Sequence, residues 1–281
     1  MNGRLQRKTM SNVERVIIKL GGGLITDKQK YRTINMEAIE SCSKTIAKIV
    51  QHGKKVILVH GAGSFGHKLS KEWRLADGTL DLVCSKGNDI RSQDQARRRV
   101  EEDMMELSTM IMRSLEGYQL TCILHPPRNW VEGFGPNFKG DLTRFIKQND
   151  SVQITFGDIV PTYDEKKFGI LSGDDLMVRL ASELPEVSAC VFALGDVEGV
   201  LTGPPGESGS KLIREWSPGT EFTGIHQSEY DVTGGIQLKV RSAAMISKFV
   251  KNVWLVDGRI PERIFSACLG NETVGTRIQH K

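Results

Sequence analysis

A short apolar segment followed by a glycine-rich loop constrains the fold of this chain more than any other feature. Val56-Ile57-Leu58-Val59 is typical of a buried strand, because consecutive apolar and β-branched residues suit a covered sheet. The loop that follows is His60-Gly61-Ala62-Gly63-Ser64-Phe65-Gly66-His67. Its glycines let the backbone turn sharply and lie against a ligand, and exposed N–H groups in such a turn can hold phosphate oxygens. The segment therefore predicts an anion site, with a ligand-free turn as the alternative.

A second apolar segment nearer the N-terminus ends in the same way. Val16-Ile17-Ile18-Lys19-Leu20 leads into Gly21-Gly22-Gly23. A lysine at the end of a buried strand is unfavourable unless it meets an anion, or unless it extends its amino group to water at the sheet edge. A helix with Asn35 as its N-cap is expected between the two strands, closed by Gly53. Both glycine loops then follow the carboxyl ends of strands, where open α/β sheets bind ligands.

In the rest of the chain, segments typical of strands alternate with segments typical of helices, which predicts a mostly parallel sheet. The pattern favours further strands over residues 120–124, 152–156, 187–194, 252–256 and 274–278. It favours helices over residues 91–117, 176–184 and 261–268, a short one from Asp141, and one that opens at residues 231–239 and runs to Phe249. Residues 68–90 are polar without a clear period, and residues 169–175 are expected to turn into the following helix.

Two later segments carry charged residues at helix starts. Ser172-Gly173-Asp174-Asp175 places two acids where they could cap a helix, orient lysines or hold a metal. Asp231-Val232-Thr233-Gly234-Gly235 is followed by Lys239 one turn into a helix, and glycines with a lysine at a helix N-terminus form an anion site. The strand over residues 187–194 ends in Gly195-Asp196-Val197-Glu198-Gly199.

Composition narrows the class of protein. A chain of 281 residues with 39% hydrophobic and 26% charged residues is typical of a soluble globular protein. With a net charge of +4 and no dense basic block, nucleic acid is not an expected partner. The five cysteines are scattered and never spaced C-x-x-C, which favours a reducing, cytoplasmic environment over a disulfide framework. No apolar segment approaches the length of a membrane span, so no membrane partner is expected.

The N-terminal residues 1–15 are polar and basic, and we expect them to be a disordered tail before a domain over residues 16–281. Because Glu14 is the only acidic residue before Lys19, an organelle-targeting tail is the alternative.

Other classes of phosphate-binding protein fit the residues less well. The chain contains no G-x-x-x-x-G-K-[ST] loop and none of the protein-kinase H-R-D or D-F-G signatures. Gly61, Gly63 and Gly66 do fit the dinucleotide pattern G-x-G-x-x-G. That pattern needs an acidic residue at the end of a strand about 20 residues further on, and residues 80–90 are too polar for such a strand. A nicotinamide-dependent oxidoreductase is therefore a less favoured alternative.

Taken together and in order, these glycine and acid motifs resemble the amino acid kinase superfamily. Within it, Ser64-Phe65-Gly66-His67 followed by Ser172-Gly173-Asp174 resembles the isopentenyl phosphate kinase family, and the resemblance covers roughly residues 16–279. It implies an open αβα sandwich around a central, mostly parallel sheet. An acceptor-binding lobe would span about residues 16–165 and an ATP-binding lobe about residues 166–281.

The resemblance also implies roles for individual residues. ATP would be contacted by Lys19, Leu20, Gly21, Gly22, Gly23, Gly63, Asp196, Gly235 and Lys239. The acceptor phosphate would be held by Ala62, Gly63, His67 and Gly157. The catalytic residues would be Lys19, Lys28, His67, Asp174 and Lys239, with Asp174 orienting the lysines.

The activity implied is ATP-dependent phosphorylation of isopentenyl phosphate to isopentenyl diphosphate in isoprenoid precursor synthesis. Mg²⁺ would be bound through the ATP phosphates rather than by protein side chains, and the protein would be a homodimer. A superfamily kinase with a carboxylate or nucleotide acceptor is the alternative, and a non-catalytic ligand-sensing relative is a third. Two departures from the family pattern, Gly23 in place of serine and Glu198 in place of aspartate, leave the nucleotide base preference open.

Overall fold

A computed structural model of the protein describes residues 13–27, 29–82, 89–219 and 235–280. The predictions for residues 1–12 of the tail, for Lys28 and for residues 231–234 lie outside the described residues. Arg15 already belongs to the first strand, and its buried guanidinium binds Glu186 and Asn149. The first strand therefore begins one residue before the predicted start at Val16.

The strands within the described residues include one at each place where the sequence predicts a strand. They are β1 (Arg15–Leu20), β2 (Lys55–His60), β3 (Cys122–Leu124), β4 (Val131–Glu132), β5 (Lys139–Gly140), β6 (Val152–Phe156), β7 (Asp158–Pro161), β8 (Phe168–Leu171), β9 (Val187–Leu194), β10 (Glu215–Trp216), β11 (Asn252–Asp257) and β12 (Thr276–Ile278). The helices are α1 (Gly22–Ile25), α2 (Met36–Gln51), α3 (His67–Glu72), α4 (Gln93–Glu116), α5 (Gly173–Glu183), α6 (Gly235–Ile246) and α7 (Pro261–Cys268).

One central sheet has the strand order β10-β12-β11-β9-β1-β2-β6-β3. The pairs from β11 through β9, β1, β2 and β6 to β3 are all parallel, and β12 pairs antiparallel with β11. The strand β1 lies between β2 and β9, so the sheet is continuous between the two halves of the chain. This confirms the predicted mostly parallel sheet.

The side chains of β1 show how both faces of the sheet are covered. Val16 and Ile18 point into a core that α2, α4 and α7 complete, whereas Ile17 points into a core completed by α5 and α6. The helix α2 begins as predicted, with the Asn35 Oδ1 accepting a hydrogen bond from the backbone N–H of Ala38 at 3.2 Å. A sheet between two helical layers is the predicted αβα sandwich, so the fold class is confirmed.

Two hairpins beside the main sheet differ from the expectations. The strands β7 and β8 pair antiparallel, so residues 169–171, which the sequence predicts to turn, are extended. The helix α5 begins at Gly173, earlier than predicted. The strands β4 and β5 form a second hairpin of two residues each. In the part of the chain that the structure describes, no helix combines the length and apolar character needed to cross a membrane.

Candidate active site

Three glycine loops meet at the carboxyl ends of β1, β2 and β9. After β1, the glycines form the single helical turn α1, and a Cβ on Gly22 would lie 2.6 Å from the Cα of Gly63 in the loop after β2. A Cβ on Gly195, after β9, would lie 2.5 Å from the backbone nitrogen of Leu24. Since Cβ atoms do not approach that closely, glycine is required where these loops pack backbone against backbone.

Two hydroxyl groups hold the first two loops together. The Thr26 Oγ1 donates to the Gly22 carbonyl at 2.7 Å and accepts from the Ser64 N–H at 2.9 Å. Ser64 Oγ in turn donates to the Thr33 carbonyl at 3.3 Å. The glycine loop after β2 therefore has a fixed position relative to α1.

Lys19 and Asp174 form a buried ion pair beside these loops. The Lys19 Nζ lies 2.5 Å from Asp174 Oδ1, and the two side chains are 7% and 1% exposed. Gly173 allows this approach, because a Cβ there would lie 3.2 Å from Lys19 Cε. The neighbouring acid has a different role: Ser172 Oγ accepts from the Asp175 N–H at 3.0 Å and donates to the Asp175 carboxylate at 2.7 Å. Asp175 thus belongs to the helix cap, and Asp174 contacts the lysine.

A cavity of about 430 Å³ lies over the three loops. It brings together most of the residues that the sequence assigns to a site: Lys19, Gly21, Gly22, Gly23, Ala62, Gly63, His67, Gly157, Asp174, Asp196, Gly235 and Lys239. Leu20 is the exception, since its side chain is packed in the core and it does not line the cavity. Lys28 lies outside the described residues.

The two ends of the cavity differ in character. One end is lined by Gly195, Asp196 and Lys239 from the C-terminal half of the chain. Here the Lys239 Nζ donates to the Gly235 carbonyl at 3.2 Å, rather than forming the predicted contact with Asp174. The other end lies beside the loop after β2, on the β6 side of the sheet, and its lining includes the apolar side chains of Val100, Met104, Ile159 and Ile170.

His60, the first histidine of the loop after β2, packs beneath the loop against α4. His60 is completely buried, and its Nε2 lies 2.9 Å from Ser108 Oγ of α4. Its ring stacks on Phe156 with the centroids 5.1 Å apart. Burial lowers the pKa of His60 to about 4, so the imidazole is neutral at pH 7. Of the two histidines that end the loop, only His67 lines the cavity.

Sequence reasoning missed several cavity residues, including Tyr31, Val100 and Ile159. Each comes from an element whose orientation depends on tertiary packing. The sequence predicts only that Met104 belongs to the helix over residues 91–117. The structure places Met104 on the cavity wall and Leu107 and Ile111 in the core.

Comparisons with known proteins agree with this geometry. Residues 14–256 match the model of the amino acid kinase family. The chain belongs to the amino acid kinase family.

Within that family its relatives include isopentenyl phosphate kinases. The chain is 34% identical to the isopentenyl phosphate kinase of Thermoplasma acidophilum, over 94% of this chain and 100% of the relative. It is 28% identical to the one of Methanocaldococcus jannaschii, over 93% of this chain and 97% of the relative. The crystal structure of the T. acidophilum isopentenyl phosphate kinase product complex is similar with a TM-score of 0.72 and 30% identity, covering 94% of this chain and 100% of that one.

Proposed function

We propose that this protein transfers the γ-phosphoryl group of ATP to isopentenyl phosphate, forming isopentenyl diphosphate and ADP. The observation that carries the proposal is the composition of one cavity: glycine loops and lysines along its base, and an apolar end lined by Val100, Met104, Ile159 and Ile170. Glycine loops and lysines suit phosphate groups, and the apolar end suits a short hydrocarbon chain. The similarity to isopentenyl phosphate kinases supports the same acceptor.

The reaction needs positioning and charge neutralisation more than covalent catalysis. An oxygen of the acceptor phosphate forms a bond to the γ-phosphorus while the bond to the bridging oxygen of ADP breaks. A phosphate monoester has a second pKa of about 6, so the acceptor is largely a dianion at pH 7 and needs no general base.

The lysines and glycine loops would stabilise the phosphates during transfer. Lys19 would neutralise charge on the transferring group, and Asp174 would hold its ammonium in place through the buried ion pair. His67, at the start of α3 on the cavity wall, would donate a hydrogen bond to the acceptor phosphate. Asp196, Gly235 and Lys239 would contact ATP, and Lys28 would assist the transfer. Because Asp174 already pairs with Lys19, Mg²⁺ fits best as an ion held by the ATP phosphate oxygens, whose charge it would partly neutralise.

The division of the chain into two lobes and its assembly into a dimer are part of the same proposal. We propose that residues 16–165 bind the acceptor and residues 166–281 bind ATP, in a cytoplasmic homodimer. Of the described cysteines, Cys42, Cys122, Cys190 and Cys268 are free thiols, as expected in a reducing environment.

An ATP-dependent kinase assay over a panel of acceptors tests the function directly. The panel contains isopentenyl phosphate, longer prenyl monophosphates, UMP, glutamate, aspartate and carbamate, and the Lys19→Met variant supplies the background. We expect ADP formation to depend on a prenyl monophosphate. Turnover with a carboxylate or with UMP, and none with prenyl monophosphates, would replace this proposal with another activity of the family.

A further inference from the structure

A buried carboxylate on α4 connects this helix to the cavity wall. Asp103 is 1% exposed and faces three polar groups. Arg32 Nε and Arg99 Nε each lie 3.0 Å from Asp103 Oδ1, and the Tyr31 hydroxyl donates to Asp103 Oδ2 at 3.3 Å. A buried carboxylate is stable only when it is paired, so these contacts fix the relative positions of the groups that make them.

Two of the three partners belong to the segment that follows α1. Gln29, Lys30 and Tyr31 line the cavity, and Arg32 comes directly after them. The helix that carries Asp103 lines the same cavity with Val100 and Met104. Asp103 thus joins two parts of one wall, at the apolar end away from Asp196 and Lys239.

The backbone of Arg32 has an unfavourable conformation that neighbouring contacts stabilise. Its φ is 48°, in the left-handed region that an arginine rarely adopts. The Arg32 N–H donates to the Ser64 carbonyl at 3.3 Å, within the glycine loop after β2. The guanidinium also forms an ion pair with Glu106 and lies 5.9 Å from the centroid of the Phe65 ring. The contacts with α4 and with the glycine loop stabilise this left-handed conformation.

We propose that Asp103 is a positioning residue for the acceptor, acting through Tyr31 and Arg32 to hold the cavity wall in its binding conformation. This inference rests on the proposed function. Asp103 itself is not among the residues that line the cavity, so it would act on the acceptor through Tyr31 and Arg32. A wall displaced by about 1 Å can lower the rate roughly 100-fold, and the displacement would affect the acceptor rather than ATP.

The two arginines provide a matched comparison. Both lie at the same distance from the same carboxylate, but Arg32 belongs to the cavity segment and Arg99 lies one turn before Asp103 on α4. Arg32→Gln should lower kcat/KM for isopentenyl phosphate roughly 10- to 100-fold and leave the KM for ATP within about threefold. Arg99→Gln should leave both parameters within about threefold of the wild type, because Arg32 still holds the segment. Arg32→Lys, which keeps the positive charge, should recover part of the loss.

Asp103→Asn should reproduce the effect of Arg32→Gln if the variant folds. If it does not fold, the comparison between the two arginines decides the question, since each of those variants leaves one arginine beside the carboxylate. The proposal would be overturned if Arg32→Gln and Arg99→Gln lowered kcat/KM for the acceptor equally. It would also be overturned if the variants lowered the melting temperature and left the acceptor kinetics unchanged, because Asp103 would then only stabilise the fold. Wild-type turnover of isopentenyl phosphate is measured first. If the wild type prefers another acceptor of the panel, the proposed function fails, and the same comparison is made with that acceptor.

Discussion

Lys19 Nζ and Asp174 Oδ1 lie 2.5 Å apart in a setting where the two side chains are 7% and 1% exposed. The lysine comes from the end of β1 and the aspartate from the first turn of α5, so the contact joins the sheet to a helix of the other half of the chain. A buried pair of this kind does not by itself show high stability, but the loss of one partner leaves the other charge uncompensated. The pair therefore links the proposed catalysis to folding.

Replacing Asp174 tests whether the carboxylate positions the lysine. Asp174→Asn should lower kcat by about 100-fold or more with a small change in the KM for ATP, since a misplaced lysine mainly affects the transition state. Steady-state kinetics at saturating acceptor measure this difference. The neighbouring Asp175→Asn is the control, because Asp175 belongs to the helix cap and its loss should reduce stability more than turnover. If the ATP affinity alone changed in Asp174→Asn, the residue would be a nucleotide contact instead.

Replacing Lys19 tests whether the ion pair contributes both to catalysis and to stability. Lys19→Met should lower kcat by at least about 100-fold and reduce the free energy of unfolding by about 3–5 kcal/mol, because it leaves Asp174 buried without a partner. Adding Asp174→Asn to the same chain should restore much of the stability and none of the turnover. Urea denaturation and the kinase assay separate the two effects. Near-normal turnover of Lys19→Met would show that the lysine only stabilises the fold.

His67 is expected to hold the acceptor rather than to remove a proton. A hydrogen bond to a charged group contributes about 1.5–3 kcal/mol, so His67→Ala should lower kcat/KM for the acceptor about 10- to 150-fold. His67→Gln keeps a donor and should recover part of the loss. An equal loss of more than about 10⁴-fold in both variants is more than such a hydrogen bond can explain, and would favour proton transfer.

Gly63 tests the packing of the glycine loops. Its φ is +50°, and a Cβ there would overlap Thr26 Oγ1 and lie 2.6 Å from the Gly22 carbonyl oxygen. Gly63→Ala should therefore displace the loops and abolish turnover. Gly53 has a φ of +80°, and no described residue beyond its chain neighbours would come within 4 Å of a Cβ there. Gly53→Ala thus carries the left-handed strain of about 1 kcal/mol without the overlap. We expect it to lower the melting temperature slightly and to keep wild-type kinetics. Equal kinetics in the two variants would contradict the packing argument.

His60 should make stability depend on pH. Its pKa is lowered by burial to about 4, while in the unfolded chain it is near 6.5. Below pH 6.5 the unfolded chain binds a proton that the folded protein excludes. The contribution of His60 to the free energy of unfolding is therefore fully present at neutral pH and is lost as the pH falls towards 4. Between pH 7 and pH 5 the free energy of unfolding should fall by about 2 kcal/mol for this reason. Urea denaturation at both pH values should show it in the wild type and not in His60→Gln. The same pH dependence in both proteins would assign it to other groups.

The sequence predicted best what local patterns determine. The bounds of β6, β9 and α7 match the predicted ranges, because each is a continuous apolar segment or begins at a clear helix signal such as Pro261. The sequence also predicts where the glycine loops lie, because each follows a continuous apolar segment. It does not predict how they pack together, since Gly22 and Gly63 are close only after β1 and β2 pair.

What the sequence could not predict depends on contacts between distant residues. The short hairpin of β7 and β8 contains Gly169, which on its own indicates a turn, and only its pairing with Val160 makes it extended. The apolar pattern of α4 identifies Met104 as buried without telling the core from the cavity. Asp103, on the same helix, has no local signal at all, because its partners Tyr31 and Arg32 lie about 70 residues earlier. The buried contact between Lys19 and Asp174 likewise joins residues far apart in the sequence, so no local pattern indicates that replacing Lys19 would lower the stability.

The central place of β1 has a consequence for how the protein is made. One edge of β1 pairs with β2, which follows soon in the chain, but its other edge pairs with β9, and Ser188 contacts the Arg15 carbonyl across 173 residues of sequence. While the ribosome is still synthesising the middle of the chain, the open edge of β1 has no partner strand from its own molecule. Such an edge is a template for pairing with other chains, so the nascent protein passes through an aggregation-prone stage that ends only when β9 emerges.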